Sequence, residues 1–316
     1  SSHSGYRAMR GSVGISGDQI ALVTERDLTP SDASEFVDAG GRIVMPGLIN
    51  GHCHGDMALA KGLGDGMTLL EQMTEFGKCG WFYPYLTDDD RYYARQHTYC
   101  EALLSGTTTL VENMYWSLGS RSQQAFLETG LKGAPVEDVR YDFMQSDAFL
   151  TDEMLAAFRE DCEKHGCIPL LGTLPEEEFT QARLEKTADT IKRSGCGFTS
   201  HLAETQWRYE TAKERFGLSP VQVLDRFGLL SARYIGSHGV YFDEEDFAIL
   251  AKRGVSIINT PICELKIADG LAPIRKLLDN GVTVGLGTDG AMWNNANDLF
   301  REMKCMALAH NLKYGP

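Results

Sequence analysis

Met45-Pro46-Gly47-Leu48-Ile49-Asn50-Gly51-His52-Cys53-His54 is a short apolar run that breaks into two histidines spaced i and i+2. In a β-strand, side chains at i and i+2 point to the same face. His52 and His54 are therefore expected to present both imidazoles to one point, as a strand end does when it grips a metal ion, with Cys53 facing the other way. Alone, the pair would more simply be two solvated loop histidines. The rest of a ligand set follows downstream, each member closing its own apolar run: Phe198-Thr199-Ser200-His201, Tyr234-Ile235-Gly236-Ser237-His238, and Val282-Thr283-Val284-Gly285-Leu286 leading into Gly287-Thr288-Asp289-Gly290. Four histidines and an aspartate, all at expected strand ends, are hard to obtain by chance.

From Pro46 onward, apolar strands, polar loops and amphipathic helices alternate. Strands are expected at 43–50, 106–112, 130–136, 167–172, 196–201, 234–238, 254–260 and 281–288, and helices at 88–104, 151–165, 176–194, 205–216, 243–253 and 271–280. Gly106, Gly130, Gly166, Gly195, Gly254 and Gly281 fall where a helix hands over to a strand, a position that favours glycine. Eight strands with intervening helices favour a (β/α)8 TIM barrel over a doubly wound sheet. In such barrels the active site gathers at the C-terminal ends of the strands, where all five candidate ligands fall. Ahead of the barrel, Ser12-Val13-Gly14-Ile15, Gln19-Ile20-Ala21-Leu22-Val23 and Gly40-Gly41-Arg42-Ile43-Val44 read as short strands, which divides the chain into 1–45 and a barrel over 46–316.

Composition narrows the function classes. Thirty Lys and Arg against 44 Asp and Glu leave a formal charge of -14, which argues against nucleic acid or an anionic membrane as partner. No apolar run approaches the roughly 20 residues needed to span a bilayer. The eight cysteines form no Cys-x-x-Cys pair and sit in mostly apolar context, as reduced thiols of a cytoplasmic protein do. The expected partner is a small-molecule substrate, and the expected assembly a homo-oligomer.

His52, His54, His201 and Asp289 supply three nitrogens and a carboxylate oxygen, a set suited to one divalent ion, zinc first and iron second. A His-rich set that leaves room for water is of the catalytic type, and the bound water would ionise near pH 7. Such a site needs a proton carrier. In His201-Leu202-Ala203-Glu204, a carboxylate stands three residues after a ligand, where the strand turns into a helix. By itself Glu204 would be a first-turn glutamate favoured by the helix dipole; beside His201, the catalytic reading is preferred. His238 is either a fifth ligand or a group that orients the water.

The segments Pro46–His54, His201-Leu202-Ala203-Glu204-Thr205 and Leu286-Gly287-Thr288-Asp289-Gly290 resemble the amidohydrolase superfamily. The nearest branch is that of the mononuclear deaminases and chlorohydrolases, which includes adenosylhomocysteine/methylthioadenosine deaminases, guanine deaminases and triazine hydrolases. The resemblance implies a metal at His52, His54, His201 and Asp289, proton-transfer and water-orienting roles for Glu204 and His238, and a proton-accepting role for Asp289 as well. The fourth strand, Ile168-Pro169-Leu170-Leu171-Gly172, offers no lysine for carbamylation, which speaks against a binuclear centre. It also implies that residues 1–45 form part of a composite β-sandwich whose C-terminal strands lie beyond Pro316, so that the barrel is truncated at its C-terminal end.

The substrate side departs from the family. Gly172-Thr173-Leu174-Pro175-Glu176 lacks the family's histidine, Trp81 stands where a glutamate is usual, and Glu137 falls near a family arginine. Asn259-Thr260-Pro261-Ile262-Cys263-Glu264 replaces Asn-Pro-x-Ser-Asn. Trp81, Glu137 and Glu264 are therefore the candidate substrate-binding residues. Two added carboxylates at the barrel mouth would favour a cationic or N–H-rich substrate. The expected reaction is hydrolytic deamination of an amidine-like C–NH2 on an amino-heterocycle or cyclic guanidine, by attack of metal-bound hydroxide. The alternatives are a chlorohydrolase or N-alkylamine hydrolase of the triazine type, and a non-catalytic scaffold on the same fold.

Overall fold

A computed structural model describes residues 8–76, 85–113, 119–140 and 148–315. The chain divides into two compact units, Ser1–Pro46 and Gly47–Pro316.

In the first unit, β1 (Ser12–Ser16) and β2 (Gln19–Thr24) form an antiparallel hairpin turned at Gly17, whose φ of +61° is one that glycine adopts without strain. The strand expected at Gly40–Val44 does not form. Gly40 and Gly41 take φ of +56° and +75° in a turn closed by Arg42 N–H donating to Ala39 O at 3.0 Å. Ile43 is 90% exposed, so the apolar run that suggested a strand has no ladder to join.

In the second unit, nine parallel strand segments make a (β/α)8 barrel: β3 (Leu48–His54), β4 (Thr107–Asn113), β5 (Lys132–Asp138), β6 (Leu170–Gly172), β7 (Gly197–Leu202), β8 (Tyr234–His238), β9 (Ser256–Asn259), β10 (Thr283–Leu286) and β11 (Asp289–Gly290). β3 begins at Leu48, where its N–H meets Gly106 O at 2.9 Å, rather than at 43. The last two segments are one barrel strand interrupted at Gly287 and Thr288: β10 pairs with β9 and β11 pairs with β3. Gly287 N–H donates to Asn259 O at 2.9 Å and Thr288 N–H to His52 O at 3.0 Å, so the crossing closes the sheet.

The helices include α1 (Leu69–Phe76), α2 (Asp88–Leu104), α3 (Ser120–Thr129), α4 (Asp152–His165), α5 (Gln181–Ser194), α6 (Gln206–Phe216), α7 (Pro220–Arg226) and α8 (Glu244–Arg253). Thr87, Thr151, Thr180 and Thr205 cap four of them by accepting an N–H from the first turn. The helix expected over 176–194 starts instead at Gln181, because the Thr180 cap separates it from a short turn at Glu176–Glu178. Tyr99, Phe126, Leu171, Phe198 and Leu224 belong to the main buried apolar cluster, and Val111, Ala134, Val136 and Leu170 to a smaller one on the strand faces that also carry the site residues. Among the described residues, no helix is long and apolar enough to cross a membrane.

Candidate active site

The ends of β3, β7, β8 and β11 meet at one point. His52 and His54 lie on one face of β3, and Cys53 points away into the main apolar cluster with Tyr99 and Leu110. Asp289 Oδ1 stands 3.4 Å from both His52 Nε2 and His54 Nε2, and His54 Nε2 stands 3.3 Å from His201 Nε2. The His201 ring lies parallel to those of His54 and His238, at 5.4 and 5.3 Å between centroids. Donor atoms of His52, His54 and Asp289 lie within 4.8 Å of one another, as do those of His52, His201 and His238. All five residues are buried. His238 and Asp289 hold φ of +74° and +58°, a region non-glycine residues seldom enter, so the strand ends are bent to aim these two side chains.

The hydrogen bonds behind the ring set which nitrogen of each imidazole faces inward. His54 Nδ1 faces Asn113 O at 2.8 Å; a carbonyl only accepts, so Nδ1 carries the proton and Nε2 offers a lone pair. Ser237 Oγ and the Asn113 amide contact His52 Nδ1 at 2.8 and 2.7 Å. With the amide turned so that Asn113 Oδ1, which otherwise has no partner, accepts the Nδ1 proton, His52 Nε2 is also left as a lone pair. Thr260 Oγ1 meets His238 Nδ1 at 2.9 Å. His52 Nε2 and His238 Nε2 are buried without a hydrogen-bond partner. Unsatisfied buried nitrogens converging on a carboxylate are costly unless a cation joins them. The donor set thus fits a divalent ion, and its second layer has the character of a metal site.

Charge states agree with that fit. Burial, with the neighbouring His52, brings His54 down to about 4, and burial holds His201 and His238 well below the usual histidine range. Burial alone would raise Asp289; the imidazoles of His52, His54 and His238 set around it outweigh burial and keep the carboxyl well below its ordinary range. At neutral pH His54, His201 and His238 are therefore neutral imidazoles and Asp289 an ionised carboxylate.

Glu204 follows β7. Its Oε1 lies 3.7 Å from His238 Nε2 and its Oε2 accepts from Arg208 on α6. Burial pushes Glu204 up to about 8 against the pull of Arg208, a range in which a carboxyl can both take and give a proton near neutrality.

Of the substrate-side candidates, Glu137 and Glu264 are not brought together at the mouth. Trp81 lies outside the described residues. Glu137 alternates with Val136 and Asp138 on β5 and so points to the opposite face from theirs. Glu264 is fully buried behind His238 rather than at the mouth. It accepts both contacts of Asn259 Nδ2 at 2.6 and 2.7 Å and Thr260 N–H at 3.0 Å, and stands 3.9 Å from His238 Nδ1. The cleft beside the ring is lined instead by Leu69, Met73, Trp293, Glu177 and Glu178, with Glu204, Asp289 and Arg208. Arg208 was visible in the sequence as a cation four residues after Glu204 on a helix start. Asn113 was visible as a polar strand end like the histidines. Trp293, 5.6 Å from the His54 ring, carries no such signal.

The pattern of the Amidohydrolase family matches residues 43–315. The chain is 32% identical over 322 residues to a 5-methylthioadenosine/S-adenosylhomocysteine deaminase of Syntrophobacter fumaroxidans, covering 97% of this chain and 70% of that protein. It is 32% identical over 316 residues to the enzyme of that name from Thermococcus sibiricus, covering 97% and 72%. Among solved structures, an adenosine deaminase from Xanthomonas campestris with bound zinc is similar with a TM-score of 0.73 and 24% identity, over 85% of this chain and 61% of that one. An atrazine chlorohydrolase from Arthrobacter aurescens, complexed with zinc, gives a TM-score of 0.79 and 22% identity over 96% and 72%. At these identities the structural likeness speaks for the fold alone, and the chain corresponds to only part of each protein.

Proposed function

This chain belongs to the amidohydrolase family, and on that premise we propose that it is a metal-dependent aminohydrolase that removes an amidine-like C–NH2 from an amino-substituted heterocycle or cyclic guanidine. One observation carries the reading: two buried, unpartnered imidazole nitrogens, of His52 and His238, face an ionised Asp289 with the Glu204 carboxyl 3.7 Å away. His52, His54, His201 and Asp289 would hold zinc, and His238 would direct the water. A zinc ion bound there supplies a water of lowered pKa and an electrophile for the reacting carbon.

The chain's own groups would then move the protons. Water would add across the amidine C=N: Glu204 Oε1 takes one of its protons and delivers it to the ring nitrogen, and the proton left on the added hydroxyl is then passed to the amino nitrogen, so that the carbon becomes a carbonyl and ammonia leaves. Thr260, accepting from His238 Nδ1–H and donating toward Glu264, keeps the His238 Nε2 lone pair turned toward the reaction. The cleft supplies an apolar slot for a flat ring at Leu69, Met73 and Trp293, with the Glu177 and Glu178 carboxylates beside it. Arg208 is the one cation among the described lining residues, and Glu177 and Glu204 engage it. This supports a neutral or cationic, N–H-rich substrate over one with an anionic tail. Free, buried thiols at Cys53, Cys162 and Cys263 support a reducing, cytoplasmic setting.

Ammonia release by the zinc-loaded protein across a panel of amino-pyrimidines, amino-purines, amino-triazines and cyclic guanidines tests the reading. S-Adenosylhomocysteine and methylthioadenosine belong in the same panel. Turnover of a cationic or neutral ring above the homocysteine derivative is expected. Chloride or alkylamine release from a triazine would change the leaving group and keep the site; protein that binds no zinc would end the enzymatic reading.

A further inference from the structure

The groups that hold Glu204 form a chain of charge leading out of the reaction centre. Arg208, one turn further along α6, donates Nη1–H to Glu204 Oε2. Its other edge is held by Glu177 in a two-pronged pair, Nε to Oε2 and Nη2 to Oε1, both at 2.8 Å. Glu177 sits on the turn after β6 and Glu204 just after β7, so the guanidinium ties neighbouring strand ends together. Beside it, Glu176 Oε1 accepts Ala203 N–H at 2.5 Å, and Ala203 has a φ of +49°. The residue before Glu204 is thereby fixed in a conformation non-glycine residues seldom adopt.

The plainer reading is that Arg208 only neutralises buried carboxylates. The geometry does more than that. The terminal torsion of a glutamate is broad, so an untethered carboxyl swings through orientations that aim neither oxygen at the reaction. Here Oε2 is taken by Arg208 and Oε1 alone is directed toward His238, at 3.7 Å. A guanidinium suits the task because it is always charged and presents a planar fork: one edge grips Glu177 while the end nitrogen reaches Glu204, which the single point charge of a lysine cannot do.

We infer that Arg208, braced by Glu177, is a positioning residue that fixes the plane of the Glu204 carboxyl so that the oxygen not held by Arg208, Oε1, is aimed at the reaction. This rests on the proton role proposed for Glu204 above. In the zinc-loaded enzyme, Arg208→Ala is expected to lower kcat by about a hundredfold, the scale of a small misplacement of a catalytic group, with KM and zinc content little changed. Free guanidinium, added below unfolding concentrations, is expected to restore part of the lost rate. Glu177→Gln is expected to lower kcat in the same sense but by less, and it carries the test if Arg208→Ala does not fold. A loss that guanidinium does not relieve, or one matched by lost zinc, makes Arg208 structural and overturns the inference. So does a crystal structure of either variant in which Glu204 Oε1 keeps its place, whether or not a substrate is turned over. Failure of the unaltered enzyme across the whole panel would sink the deaminase reading instead.

Discussion

The 2.8 Å contact between His54 Nδ1 and Asn113 O decides, at a single residue, which nitrogen faces the centre. The same logic separates the proposed ligands from the proposed proton carrier, because the two kinds of residue fail differently. Removing His201 takes away a ring whose Nε2 stands 3.3 Å from that of His54. His201→Ala is expected to lose both zinc and activity, as measured by metal analysis and turnover, and full zinc occupancy would show that the ligand set is wrong. Glu204→Gln keeps the shape of the side chain and leaves the imidazoles untouched. It is expected to retain zinc while turnover falls by about 10²–10⁴-fold, the usual contribution of a general acid–base group. A near-normal rate would reduce Glu204 to a helix-start residue.

Between elements, the crossing of β10 into β11 beneath β3 carries the most constraint. A Cβ on Gly287 would lie 2.7 Å from His52 O and 2.9 Å from His52 N, and backbone atoms cannot swing aside. Gly287→Ala is expected to destabilise by about 1–3 kcal/mol, as overpacking does, and to weaken zinc binding by displacing His52. Gly217→Ala is the control: at φ +69° with nothing within 4 Å, it strains the backbone far from the site. Equal zinc affinity in the two variants, by chelator competition, would show that β3 holds His52 independently of the crossing. This scale also shows what was and was not legible in the sequence. The two-residue period put His52 and His54 on one face because strand geometry is local. Glu137 was assigned without regard to that period, which turns it away from Val136 and Asp138. Glu264 was expected at the mouth; instead Asn259 and Thr260 draw it behind His238, a contact that exists only because α9 (Pro261–Lys266) folds back on the end of β9. Apolar runs marked strands well where a neighbour stood ready to pair, and failed at Gly40–Val44, where none does.

For the whole molecule, the proposed centre joins residues up to 237 positions apart, from His52 to Asp289, at the point where the sheet closes on itself. Four buried imidazoles and a carboxylate come together there only in the folded chain, so an ion held by them would bind the folded state and not the unfolded one. Stabilisation by such a ligand grows as the logarithm of its concentration over Kd, about 2.7 kcal/mol at a hundredfold excess. Adding zinc to chelator-stripped protein should therefore raise the unfolding temperature of the Gly47–Pro316 unit by several degrees, in a concentration-dependent way, and fresh chelator should reverse it. His201→Ala should unfold at the same temperature with and without zinc, because it lacks the ligand through which the ion acts. Calorimetry on both proteins checks this. A midpoint that ignores zinc in the unaltered chain would mean that the histidines and Asp289 are balanced without an ion, and the metal reading of the site would fall with it.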